Sequence, residues 1–85
     1  MDRKKLLKRL VEGQVHNVSF ADPLSLARGF GFRVQRVSGS HHILAHPGLP
    51  ELVNLQEVRG EAKPYQIRQF LKLIEKYNLR LEDQG

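Results

Sequence analysis

Gly31-Phe32-Arg33-Val34-Gln35-Arg36-Val37-Ser38-Gly39-Ser40-His41-His42-Ile43-Leu44-Ala45-His46-Pro47 is the stretch whose reading decides the fold. Entering it, Phe30, Phe32 and Val34 alternate with Gly31, Arg33 and Gln35. That two-residue period puts the apolar side chains on one face and predicts a strand over residues 30–37. Ser38-Gly39-Ser40 is turn chemistry, because glycine and serine accept the backbone reversal that most residues resist. A second strand is expected over residues 41–46, which closes the segment into a hairpin. Pro47-Gly48-Leu49-Pro50 then breaks the chain. Leu52-Val53-Asn54-Leu55-Gln56 opens a third strand that runs to about Val58, with Gly60 closing it.

Outward from the hairpin, the C-terminal element is a helix. Pro64 suits a first-turn position, and Ile67, Phe70, Leu71 and Ile74 follow at helical spacing, with Asn78 as its stop. Leu79 and Leu81 are expected to fold back on the core, and residues 82–85 to fray. On the N-terminal side, Asp22-Pro23 reads as N-cap and first helical residue, with Ser19 and Asp22 an alternative capping box one turn earlier. Phe20, Leu24, Leu26 and Ala27 give that helix its apolar side, and Gly29 and Gly31 end it. Leu6, Leu7, Leu10 and Val11 form the stripe of a further helix that stops near Gly13, its other faces filled by Arg3, Lys4, Lys5, Lys8 and Arg9. Phe20, Phe30, Phe32 and Phe70 sit at apolar-periodic positions and are assigned to the core. The expected fold is α+β: three antiparallel strands with helices on one face, two layers in all.

With 85 residues the chain is expected to make one domain spanning 1–85, since so short a sequence cannot hold two hydrophobic cores. The absence of cysteine excludes disulfides and thiolate metal sites. No apolar run reaches the length of a bilayer span and no signal peptide is evident, so a cytoplasmic location without membrane contact is expected. A net charge of +5 suits a polyanionic partner and suits equally a soluble domain that is merely basic.

Gly31-Phe32, Gly39-Ser40-His41-His42, His46-Pro47 and the helix opened by Lys63-Pro64, in this order of elements, resemble the HicA-type toxins. These are small mRNA interferases of type II toxin–antitoxin systems. The resemblance covers a core over residues 19–81 and leaves residues 1–13 as an extra N-terminal helix. It implies a fold like the double-stranded-RNA-binding domain, α-β-β-β-α. It also implies metal-independent endoribonuclease cleavage of mRNA and neutralisation by a HicB-type antitoxin. The family pattern tolerates variation at the first histidine and keeps the second, so the catalytic role carries over to His42, with Gly39 and Ser40 as the turn that places it. His41, Arg36 and Lys63 are the supporting candidates for RNA binding. Ala45 departs from the pattern, standing where many relatives carry a basic residue.

The chemistry fits one imidazole better than two. RNA carries its own nucleophile, the 2′-hydroxyl, and an imidazole exchanges protons near neutral pH. Neighbours in a strand point to opposite faces, so His41 and His42 do not face one phosphate, while His46 shares the face of His42 but lies ~13 Å along an extended strand. The four histidines lack the close, convergent spacing of a zinc site, and neither metal nor small-molecule cofactor is expected. Arg68, Lys72 and Lys76 form a stripe suited to phosphates, to an acidic partner, or to the plain solvated face of an amphipathic helix. Tyr65 is read as a core-edge residue, with base stacking as the alternative. A non-catalytic RNA-binding module of the same fold is the alternative to the nuclease.

Overall fold

A computed structural model describes residues 2–81. The elements run α1 (Arg3–Val11), α2 (Ala21–Gly29), β1 (Arg33–Ser38), β2 (His41–Ala45), β3 (Val53–Val58), β4 (Glu61–Ala62) and α3 (Pro64–Lys76). The sheet is antiparallel in the order β1-β2-β3-β4. The expected α+β class and the helix-first, helix-last order hold, with α1 preceding the α-β-β-β-α arrangement. No helix among the described residues is long and apolar enough to cross a membrane. Residues 82–85, expected to fray, lie outside the described residues.

Each helix ends on the same backbone device. At the end of α2 the Gly31 N–H donates to the Arg28 carbonyl and the Phe32 N–H to the Ala27 carbonyl, both at 3.0 Å. This is the Schellman pattern, and it requires the left-handed backbone that Gly31 adopts at φ 95°. The same pair of bonds closes α1 around Gly13 and α3 around Asn78. Because Gly31 and Phe32 are consumed in this turn, β1 begins at Arg33 rather than at Phe30 as the alternation predicted.

Three further expectations are corrected. Helix α2 starts at Ala21 with Phe20 before it, not at Asp22-Pro23, because the buried Phe20 anchors the entry and its N–H donates to the Gly60 carbonyl at 2.9 Å. Ser19 and Asp22 meet through the main chain, Asp22 N–H to Ser19 carbonyl at 3.0 Å, rather than through a capping box. The chain also makes a fourth strand where three were expected. Arg59 and Gly60 both take positive φ (53° and 80°), the signature of a two-residue I′ hairpin, and Glu61–Ala62 folds back along β3. Strand β2 ends at Ala45, and β3 starts at Val53, each one residue inside the expected bounds.

Alternation assigns the faces. Val34, Val37, His42, Leu44, Val53 and Leu55 share one face by register, and the buried Leu44, Val53 and Leu55 mark it as the helix-covered one. Arg33, Arg36, Ser38, His41, Ile43, Asn54 and Gln56 lie on the open face. A bulge between Val34 and Arg36 shifts the register of β1, which is why Val37 rather than Arg36 sits opposite His42. The four phenylalanines are all buried as expected. Phe70 of α3 takes the edges of Phe30 and Phe32 at ring separations of 6.1 and 5.7 Å, the tilted geometry aromatic pairs prefer.

Helix α1 is seated on the domain. Leu6 and Leu10 are buried, and Arg3 Nε donates to Ser25 Oγ of α2 at 3.1 Å. Leu79 and Leu81 do fold back onto the core. A methyl group placed on Gly29 would stand 2.7 Å from the Leu81 side chain and 3.0 Å from that of Arg3, so glycine lets both chain arms close over α2 at one point.

Candidate functional site

The hairpin between β1 and β2 turns through Gly39 and Ser40. Gly39 has φ 61° and Ser40 keeps a negative φ, the II′ pattern that favours glycine at the first central position. Ser40 is fixed on two sides: its carbonyl accepts from the Glu57 N–H at 3.0 Å, and its hydroxyl accepts from Gln56 Nε2 at 3.2 Å. Gln56 is held in turn from α3, where the buried Gln66 accepts the Gln56 N–H on its Oε1 at 2.6 Å. The turn is therefore tied through two amides to the last helix. Gln56 and Gln66 were not among the expected site residues. Their only sequence signal is polarity beside apolar neighbours, at Gln56 in a strand and at Gln66 just inside a helix start.

His42 occupies the helix-covered face where cover runs out. Its cross-strand neighbours are Val37 and Leu55, and Val37 is 54% exposed while Leu55 is fully buried. The imidazole packs on Phe20 with ring centroids 4.7 Å apart at a tilt of 52°. Among the described residues nothing bonds its buried Nδ1, and Nε2 is the nitrogen left to solvent. An unsatisfied nitrogen at a protein's edge costs stability and calls for a reason. Phe20, expected only as core, thus doubles as the platform of this ring.

The other expected residues are dispersed. His41 lies on the open face, as strand alternation requires, and its Nδ1 is 3.2 Å from Asn54 Oδ1. Arg36 pairs with Ile43 on that same open face, so neither shares a face with His42. Lys63 precedes α3, with its ammonium 6.0 Å from the centre of the Tyr65 ring. Tyr65 is 52% exposed, against the core-edge expectation. Arg68 and Lys72 are exposed on α3, while Lys76 pairs with Glu51 at 2.9 Å. Glu51 also accepts from the Tyr77 hydroxyl. That bond, followed by the one from Lys76, holds the Glu51 carboxyl below its usual pKa.

His46 has a different environment from His42. Its ring meets the edge of Phe32 at 5.2 Å, and its Nδ1 accepts the Gly48 N–H at 2.9 Å, bracing the Pro47–Gly48 turn. Arg33 stands directly across from Ala45, so a cation occupies the neighbouring strand where position 45 has none. Among the described residues no three His, Asp or Glu side chains converge on a point.

The family model for the HicA toxin of bacterial toxin–antitoxin systems matches residues 22–75, which include the hairpin, both of its histidines and α3 as far as Glu75. No curated protein and no solved structure matches the chain.

Proposed function

Because the chain belongs to the HicA family, and is thereby a toxin of a toxin–antitoxin system with an antitoxin partner, we propose that it is an endoribonuclease that cuts mRNA with His42. The observation that carries this reading is the state of the His42 ring: clamped on Phe20, unsatisfied at Nδ1 and open at Nε2. A general base needs a free nitrogen at the surface and a ring that does not wander. Nε2 takes the proton of a 2′-hydroxyl. The 2′-oxygen attacks the adjacent phosphorus, and the 5′-oxygen leaves with a proton from solvent. An imidazole does this without a metal ion.

Gly39 and Ser40 supply the turn that lets the RNA backbone approach, since Gly39 meets nothing within 4 Å where a side chain would stand. His41, Arg36 and Lys63 contribute to RNA binding from the open face and from the start of α3, outside the immediate surroundings of His42. With one proton-transfer group and no partner on Nδ1, the enzyme is a slow nuclease, and slow cutting suffices for a toxin acting on an mRNA pool. The cytoplasm is where it acts on this reading, and a HicB-type antitoxin silences it by covering His42.

The test is expression of the wild type and of His42→Ala, read as growth arrest and as mRNA integrity. Arrest with fragmented mRNA is expected from the wild type alone. Equal toxicity and equal cleavage from His42→Ala would overturn the assignment.

A further inference from the structure

At the end of β2 away from His42, where the sheet meets the turn after α2, the surface carries a second cluster of nitrogen donors. A cleft of about 440 Å³ is lined by Arg28 from the last turn of α2, Gly31 and Phe32 from the turn after it, Arg33 from the start of β1, and His46 with Pro47. Arg28 and Arg33 are exposed. No carboxylate lines the cleft, and neither guanidinium has an ion-pair partner among the described residues. The Gly48 N–H occupies Nδ1 of His46, so the neutral ring carries its proton on Nε2 and is a donor there. Contact with the edge of Phe32 fixes the ring plane.

Two guanidiniums and an imidazole N–H around one cleft, with no carboxylate residue in its lining, make the donor set that a tetrahedral oxyanion satisfies. We propose that this cleft binds a phosphodiester of the RNA chain, one short span away from the phosphate cut at His42. The span follows from the fold. His46 lies ~13 Å from His42 along the strand direction, and α2 bridges the two places, with Phe20 before its start on His42 and Arg28 in its last turn at the cleft. A single strand running from the His42 end of α2 to its last turn has one phosphate at the reacting imidazole and another at the cleft, whose rim Arg33 reaches from the start of β1. The cleft would thus hold the chain in register while a solitary histidine does the chemistry. The inference rests on the nuclease reading for the identity of the ligand.

The experiment is binding of a short single-stranded RNA with 2′-O-methyl sugars and a 5′-hydroxyl end, followed by fluorescence anisotropy over a range of salt. This probe cannot be cut and has only internal phosphodiesters. Each phosphate neutralised on a single strand contributes about 0.7 to the slope of log K against log salt. Arg28→Gln and Arg33→Gln are therefore expected to lower the slope by roughly that amount for each phosphate no longer neutralised, and to weaken binding several-fold at low salt. Both arginines are exposed, so the variants keep the fold. Arg59→Gln, at the tip of the β3–β4 hairpin, is the control for the change in net charge. Slopes for Arg28→Gln and Arg33→Gln equal to that control would overturn the proposal. So would unchanged RNA binding combined with weakened antitoxin binding, which would make the cleft a protein-binding surface.

His42→Ala separates the two readings. If it still cleaves RNA, the assignment of His42 falls, while the salt slopes of Arg28→Gln and Arg33→Gln, read on a probe that cannot be cut, test the cleft whatever that outcome. In a second readout, titration with inorganic phosphate is expected to move the Gly48 amide resonance in the wild type and not in an Arg28→Gln, Arg33→Gln double variant. No movement in the wild type would count against the site.

Discussion

Replacing His42 by phenylalanine is expected to make the protein more stable and inactive at once. The face on Phe20, with centroids 4.7 Å apart, is one that a benzyl ring can keep, and such aromatic pairs contribute about 0.5–1.5 kcal/mol beyond area burial. What the substitution removes is Nδ1, buried without a partner. A buried polar group left unsatisfied costs about 1–3 kcal/mol. Because the imidazole is half-buried rather than enclosed, the gain belongs at the low end, about 1 kcal/mol. For a domain of this size that raises the melting temperature by about 4–8 °C. The assay is thermal unfolding by circular dichroism of wild type, His42→Phe and His42→Leu, with RNA cleavage measured on the same samples. Loss of a general base lowers cleavage by about 10²–10⁴-fold. A melting temperature lowered in both variants would refute the reasoning, because the imidazole would then be holding the fold together. Cleavage retained by His42→Phe would refute the chemical half.

Other substitutions test the supports of the site. Gly39→Ala keeps open space around the new methyl but forces an L-residue to hold φ 61°, so the urea midpoint should fall by the equivalent of about 1–2 kcal/mol. Gln66→Leu strands the Gln56 N–H that now bonds Oε1 at 2.6 Å, with an expected cost of about 1–3 kcal/mol and faster hydrogen exchange at Gln56. Glu51→Gln tests the pH dependence of the loop after β2. The folded carboxyl lies below its ordinary 4.5 through its bonds to Tyr77 and Lys76, so its contribution is complete above that value and is lost as pH falls through the lowered one. Wild type should therefore exceed Glu51→Gln in stability at neutral pH, and the two should converge in acid.

The elements with long apolar periods could be read from sequence, and α3 is the clearest, with Ile67 and Phe70 buried as its spacing required. The hairpin was legible because Gly39 has one conformational role to play there. Two features escaped for physical reasons. β4 is only Glu61–Ala62, too short to display an alternation, and the Arg59-Gly60 turn is a poor advertisement for the backbone it adopts. The Phe30–Phe32 alternation reported apolar burial truthfully, yet that burial belongs to a helix-ending turn and not to a strand. At the site, alternation separated His41 from His42 correctly. It gave no warning that the bulge in β1 leaves Arg36 on the far face, because a bulge is set by local backbone geometry and leaves little trace in composition. The partnerless Nδ1 was also invisible, since it depends on what surrounds a ring in space.

The meeting of Arg3 and Leu81 over Gly29 has a mechanical consequence. The two arms of the chain are joined to α2 at this point by side-chain packing and the bond from Arg3 to Ser25, with no ladder of main-chain bonds between them. A pull applied through the arms loads those side chains first and peels α1 and the tail away in turn. The sheet, whose strands pair along their lengths, bears load only afterwards. Tension would thus strip the outer wrapping while the hairpin carrying His42 still stood.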